Sequence, residues 1–283
     1  MGSIRIQRVS IEYPVEGRGM RRILNDIDLE IESGAFVSIV GQTGCGKSTL
    51  LRLILGEESP SRGQVLVDGK VRTQPGPYCG YVPQKYSLFP DKTVLGNILF
   101  GLDASSGGPL SLLNPARRKR MRAFREDGLR YLHHVGLNEA DAGKYPHQLS
   151  GGMQQRVAIA QALILKPPVL LMDEAFSALD PGTRSGMQRL IKKLWRESGT
   201  TIVFVTHNTR EALCLGTRVI ALAKDSASND GSSVALDLSV PHLDFDSGEE
   251  DLSRLIREVE TASLPHARGT PPSPDAKPAS VYN

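Results

Sequence analysis

One stretch of the chain combines glycines, a lysine and a serine at a spacing that binds phosphate. Residues 41–49 read Gly-Gln-Thr-Gly-Cys-Gly-Lys-Ser-Thr, which fits the pattern G-x-x-x-x-G-K-[ST]. The glycines let backbone N–H groups turn toward an anion, and the helix that follows adds partial positive charge. Lys47 would reach the β- and γ-phosphates, and Ser48 would bind Mg²⁺. The pattern predicts a nucleoside triphosphate site made of Gly41, Gln42, Thr43, Gly44, Cys45, Gly46, Lys47, Ser48 and Thr49.

The segments on either side of this loop are those that the motif requires. Residues 35–40 are apolar and partly β-branched, which predicts a buried strand. Residues 50–55 favour a helix, and Gly56 is placed to end it. A glycine-rich turn that binds nothing is the alternative, and the strand and helix favour the phosphate site.

Two acids follow another apolar run. Residues 169–172 are Val-Leu-Leu-Met, and Asp173 and Glu174 come next. A buried strand here would deliver the first carboxylate to the Mg²⁺ site and place the second where it can polarise a water in line with the γ-phosphate. Without the phosphate loop, the two acids would more commonly belong to a turn.

A second group of glycines lies far from the first. Residues 149–156 read Leu-Ser-Gly-Gly-Met-Gln-Gln-Arg. Ser150 is a good N-cap, and Gly151 and Gly152 leave the first N–H groups of a helix open to an anion. The segment is either a second anion site, which also includes Gln154, or simply the start of a helix.

Taken together, these motifs resemble those of the ATP-binding subunits of ABC transporters. Residues 177–180 (Ser-Ala-Leu-Asp) and His207, which follows the predicted strand 201–206, belong to the same ordered set. The resemblance covers residues 4–223. Residues 234–241 and the helix after them are similar to the end of nitrate, sulfonate and taurine-type importer subunits.

The resemblance implies roles for the catalytic and metal-binding residues. Lys47 and Ser48 match the phosphate-loop residues, and Asp173 matches the acid that holds Mg²⁺. Glu174 resembles the general base that activates water. Gln84 resembles a loop glutamine that contacts both Mg²⁺ and the membrane subunit.

It also implies roles for residues around the nucleotide. His207 resembles the histidine that faces the γ-phosphate, and Tyr13 the aromatic residue that stacks on adenine. Asp180 matches an acid that couples two sites. The signature that grips ATP bound to the other protomer is matched by Ser150, Gly151, Gly152 and Gln154.

The function that follows from the resemblance is Mg-ATP hydrolysis by a homodimer that drives integral membrane permease subunits. A lone ATPase favours import, with an extracytoplasmic solute-binding protein as a further partner. Two other classes remain open: a soluble ATPase acting on the ribosome or DNA, and a regulator docked on a membrane complex. The basic residues 117–122 are the only support for nucleic-acid binding, and a solvated helix face explains them better.

Composition adds the compartment. The 34 basic and 31 acidic residues leave a net charge of +3, which indicates no particular partner. Cys45, Cys79 and Cys214 have neither disulfide nor zinc spacing, which is typical of a reducing compartment. No secretory signal or membrane-spanning run is present, so we expect a cytoplasmic protein on the inner face of the membrane.

For Cys45, the sequence predicts a reactive thiol. It lies at a helix N-terminus beside Lys47, a setting that lowers a thiol pKa. We therefore expect an alkylation-sensitive thiol that Mg-ATP protects. The alternative is a small side chain that only fills the core.

The order of the patterns predicts an α/β fold. Its nucleotide-binding core has a mostly parallel sheet, an antiparallel β flank and an inserted helical subdomain. The predicted segments are 1–92 (core and flank), 93–148 (helical insertion), 149–240 (core), 241–263 (C-terminal helical extension) and 264–283 (disordered Pro-rich tail). Residues 103–125 are longer and more basic than the corresponding region of the family.

Overall fold

The computed structural model describes residues 2–17, 19–85, 88–104, 115–225, 231–240 and 249–265 of the chain. The strands are β1 (Ile4–Val15), β2 (Gly19–Ile31), β3 (Phe36–Gly41), β4 (Arg62–Val67), β5 (Lys70–Val71), β6 (Cys79–Val82), β7 (Val169–Asp173), β8 (Thr201–Val205), β9 (Arg218–Lys224) and β10 (Ser232–Ser239). The α-helices are α1 (Lys47–Leu55), α2 (Val94–Ala104), α3 (Pro115–His134), α4 (Gly151–Leu163), α5 (Pro181–Ser198), α6 (Thr209–Leu215) and α7 (Glu249–Ala262).

The strands of the described residues form one sheet in the order β5-β4-β1-β2-β10-β9-β3-β8-β7-β6. At one end, β6, β7, β8, β3 and β9 are parallel to one another. At the other end, the pairs β2–β1, β1–β4 and β4–β5 are antiparallel. The sheet is therefore mixed, and the parallel part carries the crossover helices that parallel strands require.

The central strands are buried on both faces, which explains their nearly continuous apolar sequence. Every residue of β3, β7 and β8 is buried. Along β8, Ile202 and Phe204 belong to one apolar core, and Val203 and Val205 belong to the other. Since side chains alternate across a strand, the sheet separates a core shared with α2–α5 from a core shared with α1 and the β1–β2 hairpin.

The β1–β2 hairpin continues past a proline. Beyond Tyr13 and Pro14, β1 runs to Val15 and pairs with β2 as far as Val15 opposite Gly19. Pairing of β1 with β4 reaches only Ser10, opposite Arg62. Pro14 therefore lies where its missing N–H interrupts no bond to β4, and proline is tolerated at such an edge.

Helices fill the described part of residues 93–148. They are α2, α3 and two short 3-10 turns, Glu139–Asp141 and Pro146–Gln148. Asn97 is fully buried, and its amide bonds the backbone of Phe89, Lys92 and Thr93. It thereby ties the connection after β6 to α2. The predicted glycine break at 105–108 lies outside the described residues.

The C-terminal helix α7, Glu249–Ala262, lies within the predicted helical extension 241–263. Leu252 and Val259 are buried against α6 and β9. Residues 266–283, the greater part of the predicted disordered tail, lie outside the described residues. Among the helices that are described, none is both long and apolar enough to cross a membrane.

Candidate functional site

The predicted site residues lie at the carboxyl ends of neighbouring parallel strands. The phosphate loop follows β3, His207 follows β8, Glu174 follows β7 and Gln84 follows β6. The strand order β3-β8-β7-β6 places these four ends side by side. Ligands of open α/β sheets bind outside the carboxyl ends of the strands, so this edge is the expected place for a site.

The phosphate loop needs glycine at defined positions. Gly44 and Gly46 have φ values of 76° and 95°, a region that favours glycine. A Cβ on Gly46 would lie 2.6 Å from Leu24 Cδ2, and one on Gly41 would lie 2.4 Å from Leu222 O. The β2 and β9 strands thus pack directly against the loop, and side chains at these positions would force it to move.

Lys47 begins α1 and is folded back into the loop. Its Nζ donates to Gly41 O at 2.7 Å and to Gln42 O at 3.2 Å. Only 6% of the residue is exposed. An ammonium held at the mouth of open backbone N–H groups is a site for an anion. The predicted C-cap of α1 is confirmed, since Gly56 has a φ of 81° and donates its N–H to the last turn.

Asp173, at the end of β7, lies close enough to the Ser48 hydroxyl to interact with it. Burial raises the pKa of the Asp173 carboxyl, the interaction with Ser48 lowers it, and the charge of Glu174 raises it further. A carboxylate and a hydroxyl next to a phosphate loop are oxygen ligands of the kind that Mg²⁺ takes together with phosphate oxygens. The donor set at this position therefore fits Mg²⁺.

Glu174 connects the ends of three strands. Its Oε2 accepts a hydrogen bond from Gln84 Nε2 at 2.9 Å and lies 3.5 Å from His207 Nδ1. Its backbone has a φ of 45°, in the left-handed region that glutamate rarely adopts. The Glu174 N–H donates to Val205 O of the neighbouring β8 at 2.9 Å. This bond helps hold the strained turn that directs the carboxylate toward the phosphate loop.

These residues line one cleft of about 770 Å³. Of the predicted residues, it brings together Tyr13, Thr43, Gly44, Gly46, Lys47, Ser48, Thr49, Gln84, Glu174 and His207. Three further lining residues, Arg21, Ile23 and Arg52, were not predicted. Arg21 lies opposite Tyr13 in the hairpin register. Only that register places it at the cleft, and the linear sequence carries no signal for it.

Within the described residues, the second predicted anion segment, 149–156, does not line this cleft. Ser150 caps α4 as predicted, since its Oγ accepts the Met153 N–H at 3.3 Å. A Cβ on the buried Gly152 would lie 2.4 Å from Thr183 Cγ2, so the start of α4 packs closely against the start of α5.

Two other residues of the predicted set make local bonds. Gln154 Nε2 donates to Pro146 O and Leu149 O, which holds the loop before α4. Asp180 is exposed and caps α5 by accepting the Thr183 N–H at 3.0 Å. The hydrogen bonds that Asp180 accepts from Thr183 lower the pKa of the Asp180 carboxyl. Both residues therefore shape the starts of α4 and α5.

The expected low pKa of Cys45 is wrong. The residue is 1% exposed and belongs to the core packed against α1. Burial raises the pKa of the thiol, and this effect outweighs the nearby charges of Lys47 and Lys224. The helix N-terminus favours a thiolate only where the sulfur stays near water. The core-filling alternative describes Cys45 correctly.

Because its cysteines are shielded, we expect the native protein to react slowly with thiol reagents. Cys214 is 1% exposed, and burial raises the pKa of Cys79 to about 12. Since the thiolate is the reactive form, iodoacetamide at pH 8 should label all the cysteines much more slowly in native protein than in guanidinium chloride. Peptide mass spectrometry measures this for each cysteine. Rapid native labelling of Cys45 would contradict its buried position.

Comparison with known proteins gives a family. Residues 24–177 match the family model described as ABC transporter. The nitrate import ATP-binding protein of Synechococcus elongatus is 41% identical over 83% of this chain. An aliphatic sulfonates import ATP-binding protein of Pseudomonas savastanoi is 39% identical over 91% of this chain and 86% of its own length. A dimeric ATP-binding cassette solved in a post-hydrolysis state with ADP and Pi superposes with a TM-score of 0.69 at 32% identity, covering 85% of this chain and 100% of that one.

The relatives differ in how much of them this chain represents. It spans 34% of the length of the nitrate import protein. The superposition covers the whole of the solved cassette, so the mixed sheet and helices described above match its fold. On the family match, the sequence identities and this fold, the chain belongs to the ATP-binding proteins of the ABC transporter family.

Proposed function

We propose that the protein hydrolyses Mg-ATP and that this reaction drives a membrane transporter. One observation carries the proposal: Glu174 lies between Gln84 at 2.9 Å and His207 at 3.5 Å, in the cleft that Lys47 lines. In phosphoryl transfer, the protein mainly positions the reacting groups and neutralises their charge. The cleft offers both, with a phosphate cradle on one side and a carboxylate on the other.

The phosphate loop would bind the triphosphate through its backbone N–H groups and Lys47. On phosphate binding, Lys47 Nζ exchanges its bonds to Gly41 O and Gln42 O for phosphate oxygens. Tyr13, half-buried at the hairpin end of the cleft, would pack against the adenine. Arg21 and Arg52 also line the cleft, and Arg52 is paired with Glu58 at 2.8 Å.

Ser48 and Asp173 would hold Mg²⁺ next to the phosphates, with Gln84 at the open side. The ion supplies charge neutralisation at the phosphate oxygens. Glu174 accepts a proton from the attacking water, since its carboxylate is fixed by the backbone bond to Val205 O and by Gln84. His207 bonds the transferred phosphoryl group from the other side.

The active form in this proposal is a homodimer. The first N–H groups of α4 have no partner within the helix, and Ser150 and Gly151 at its start are exposed. In a dimer they would contact the γ-phosphate of ATP held by the partner's phosphate loop. The solved cassette with ADP and Pi is dimeric, which supports this arrangement.

Membrane permease subunits are the proposed partners. An exposed apolar patch, the α2 patch, is formed by Phe89, Phe100 and Leu165. The rings of Phe89 and Phe100 lie 4.2 Å apart, and Leu165 packs on Gly101 with 40% of its surface exposed. Phe89 and Phe100 come soon after Gln84 in the chain, so a partner bound at the patch could sense the cleft. Peripheral attachment would place the protein on the cytoplasmic face.

The relatives' names favour import. Those compared above are named for import of nitrate and of aliphatic sulfonates. We propose a related importer of a small anion, working with a solute-binding protein outside the membrane. The permease and the binding protein would select that anion.

Two measurements test this function. Purified protein should hydrolyse ATP in the presence of Mg²⁺, and Lys47→Ala should abolish nucleotide binding. Tagged protein from membranes should co-purify a polytopic membrane protein, and Phe100→Asp should reduce that recovery while ATPase activity stays. Recovery of ribosomes or DNA in place of a membrane protein would support the soluble alternative.

A further inference from the structure

The segment that carries His207 is held from behind by buried polar groups. His207 itself has 61% of its side chain exposed. The residue before it, Thr206, is 2% exposed and donates its N–H to Ile39 O of β3 at 3.2 Å. The residue after it, Asn208, donates its N–H to Thr206 Oγ1 at 3.1 Å. The position of His207 is therefore set by its neighbours in the chain.

Glu211 closes this arrangement. It is 6% exposed, and both carboxylate oxygens are used. Thr206 Oγ1 donates to Oε2 at 2.5 Å, and Gln188 Nε2 donates to Oε1 at 2.7 Å. The Glu211 N–H also donates to Asn208 Oδ1 at 3.0 Å. Because Thr206 gives its proton to Glu211, its oxygen is left to accept the Asn208 N–H.

The other end of the network lies on α5. Gln188 is 6% exposed, and it is one of three polar residues that lie along α5 at intervals of four. One turn earlier, Arg184 donates to Phe176 O and Leu179 O. One turn later, Lys192 donates to Cys214 O at 3.0 Å. The same helix is thus bonded to the loop that leads to Asp180 and to the His207 segment.

The Glu211 carboxylate is also close to Glu174 and His207, the residues proposed to act on the γ-phosphate and the attacking water. A cavity of about 20 Å³, enough for one water molecule, is lined by Glu211 and Arg184 on one side and by Glu174 and His207 on the other. Burying a carboxylate such as that of Glu211 is costly unless each buried polar group has a hydrogen-bond partner. The network therefore has one favourable arrangement, and it fixes the back of the site.

We propose that Glu211 is a positioning residue for His207, and that α5 couples the loop before Asp180 to His207 through Gln188. This inference rests on the proposed ATP hydrolysis. A shift of α5, whose first turn is capped by Asp180 through the Thr183 N–H, would then change the distance from His207 to the phosphate.

An exchange of the two buried partners tests the proposal. In Glu211→Gln, the new amide group either faces Gln188 Nε2, so that this bond is lost, or donates to the Thr206 hydroxyl, so that the present bond is reversed. In the double variant Gln188→Glu with Glu211→Gln, residue 211 donates to residue 188 and still accepts from Thr206. The net charge is unchanged and the network is restored. Thr206→Val breaks the same network with a side chain of equal shape, and Glu197→Gln on the exposed face of α5 is the matched control.

The first measurement does not depend on ATP hydrolysis. In protein with ¹³C-labelled histidine, the His207 ring signal is identified by its loss in His207→Ala. It should shift or broaden in Glu211→Gln and in Thr206→Val, and return in the exchanged double variant. The other histidine signals should stay in place. An unchanged His207 signal in both broken variants, with the network removed, would overturn the proposal.

The second measurement is steady-state ATP hydrolysis. We expect kcat to fall by roughly tenfold to a hundredfold in Glu211→Gln, with KM for ATP within about threefold, as for a misplaced catalytic group. The exchanged variant should recover most of kcat. In a His207→Ala background, Glu211→Gln should cost nothing further, since both changes act through one group.

The outcomes distinguish a failure of the positioning role of Glu211 from a failure of the proposed ATP hydrolysis. An equal loss of kcat with and without His207 would show that Glu211 acts elsewhere and would overturn the inference. Absence of ATPase activity in the unaltered protein, with the His207 signal responding as expected, would overturn the proposed function and leave the positioning role supported.

Discussion

Glu174→Gln is expected to lower ATP turnover by about 10²- to 10⁴-fold, the usual cost of losing a general base. The amide keeps the shape of the side chain and an oxygen that can accept from Gln84 Nε2, now at 2.9 Å. It cannot take a proton from water. Nucleotide binding should persist, because Lys47 and the loop glycines are untouched. The variant should therefore accumulate with ATP bound.

Phosphate release and equilibrium binding of a fluorescent ATP analogue measure the two effects separately. Glu197→Gln, an exposed glutamate on α5, serves as the control and should match the unaltered protein. Turnover of Glu174→Gln within a few fold of the unaltered protein would show that another group activates the water.

The second large effect concerns the shared site. A mixed dimer of Lys47→Ala and Ser150→Arg protomers should trap nucleotide at one site, whereas neither homodimer should trap any. If each ATP contacts Lys47 of one protomer and Ser150 of the other, both defects fall on one composite site. The second site then keeps an intact lysine and an intact serine.

The structure gives this experiment its basis. The cleft around Lys47 is lined by residues of β1, β2, the phosphate loop and α1 and by residues that follow β6, β7 and β8, and within the described residues the start of α4 is not part of it. Ser150 caps α4 through Met153 N–H and is exposed. An arginine there adds bulk and charge to an exposed helix start, so the fold should persist.

Both protomers carry Glu174→Gln to prevent hydrolysis, and two affinity tags isolate the mixed dimers. Radiolabelled ATP retained after gel filtration is counted per dimer. If each protomer used its own Ser150, both sites would be damaged and the mixed dimer would retain nothing. That result, with tag exchange verified, would count against a composite site.

Local chemistry was readable from the sequence wherever a feature depends on residues close in the chain. The phosphate loop, the N-cap at Ser150 and the C-cap at Gly56 each involve hydrogen bonds that span a few residues. The apolar runs of β7 and β8 predicted buried parallel strands for the same reason. The family resemblance then related these separate motifs to one another.

Burial and register were decided by the tertiary structure. Cys45 has the local sequence of an activated thiol, but packing by strands distant in the chain removes it from water and raises the pKa of the thiol. Tyr13 and Arg21 reach the cleft because β1 extends past Pro14, which depends on where β4 stops pairing with β1. Neither fact follows from the residues beside them.

The buried network behind His207 is the clearest example. Glu211 alone in the sequence is an ordinary acid in the first turn of a short helix. It becomes a buried carboxylate because α5 brings Gln188 to within 2.7 Å. The sequence by itself was enough to select the groups proposed to bind phosphate and activate water, since these proposals depend on residue type and local geometry. The order of the strands and the packing of α5 decided which groups meet, because contacts between distant segments depend on the whole fold.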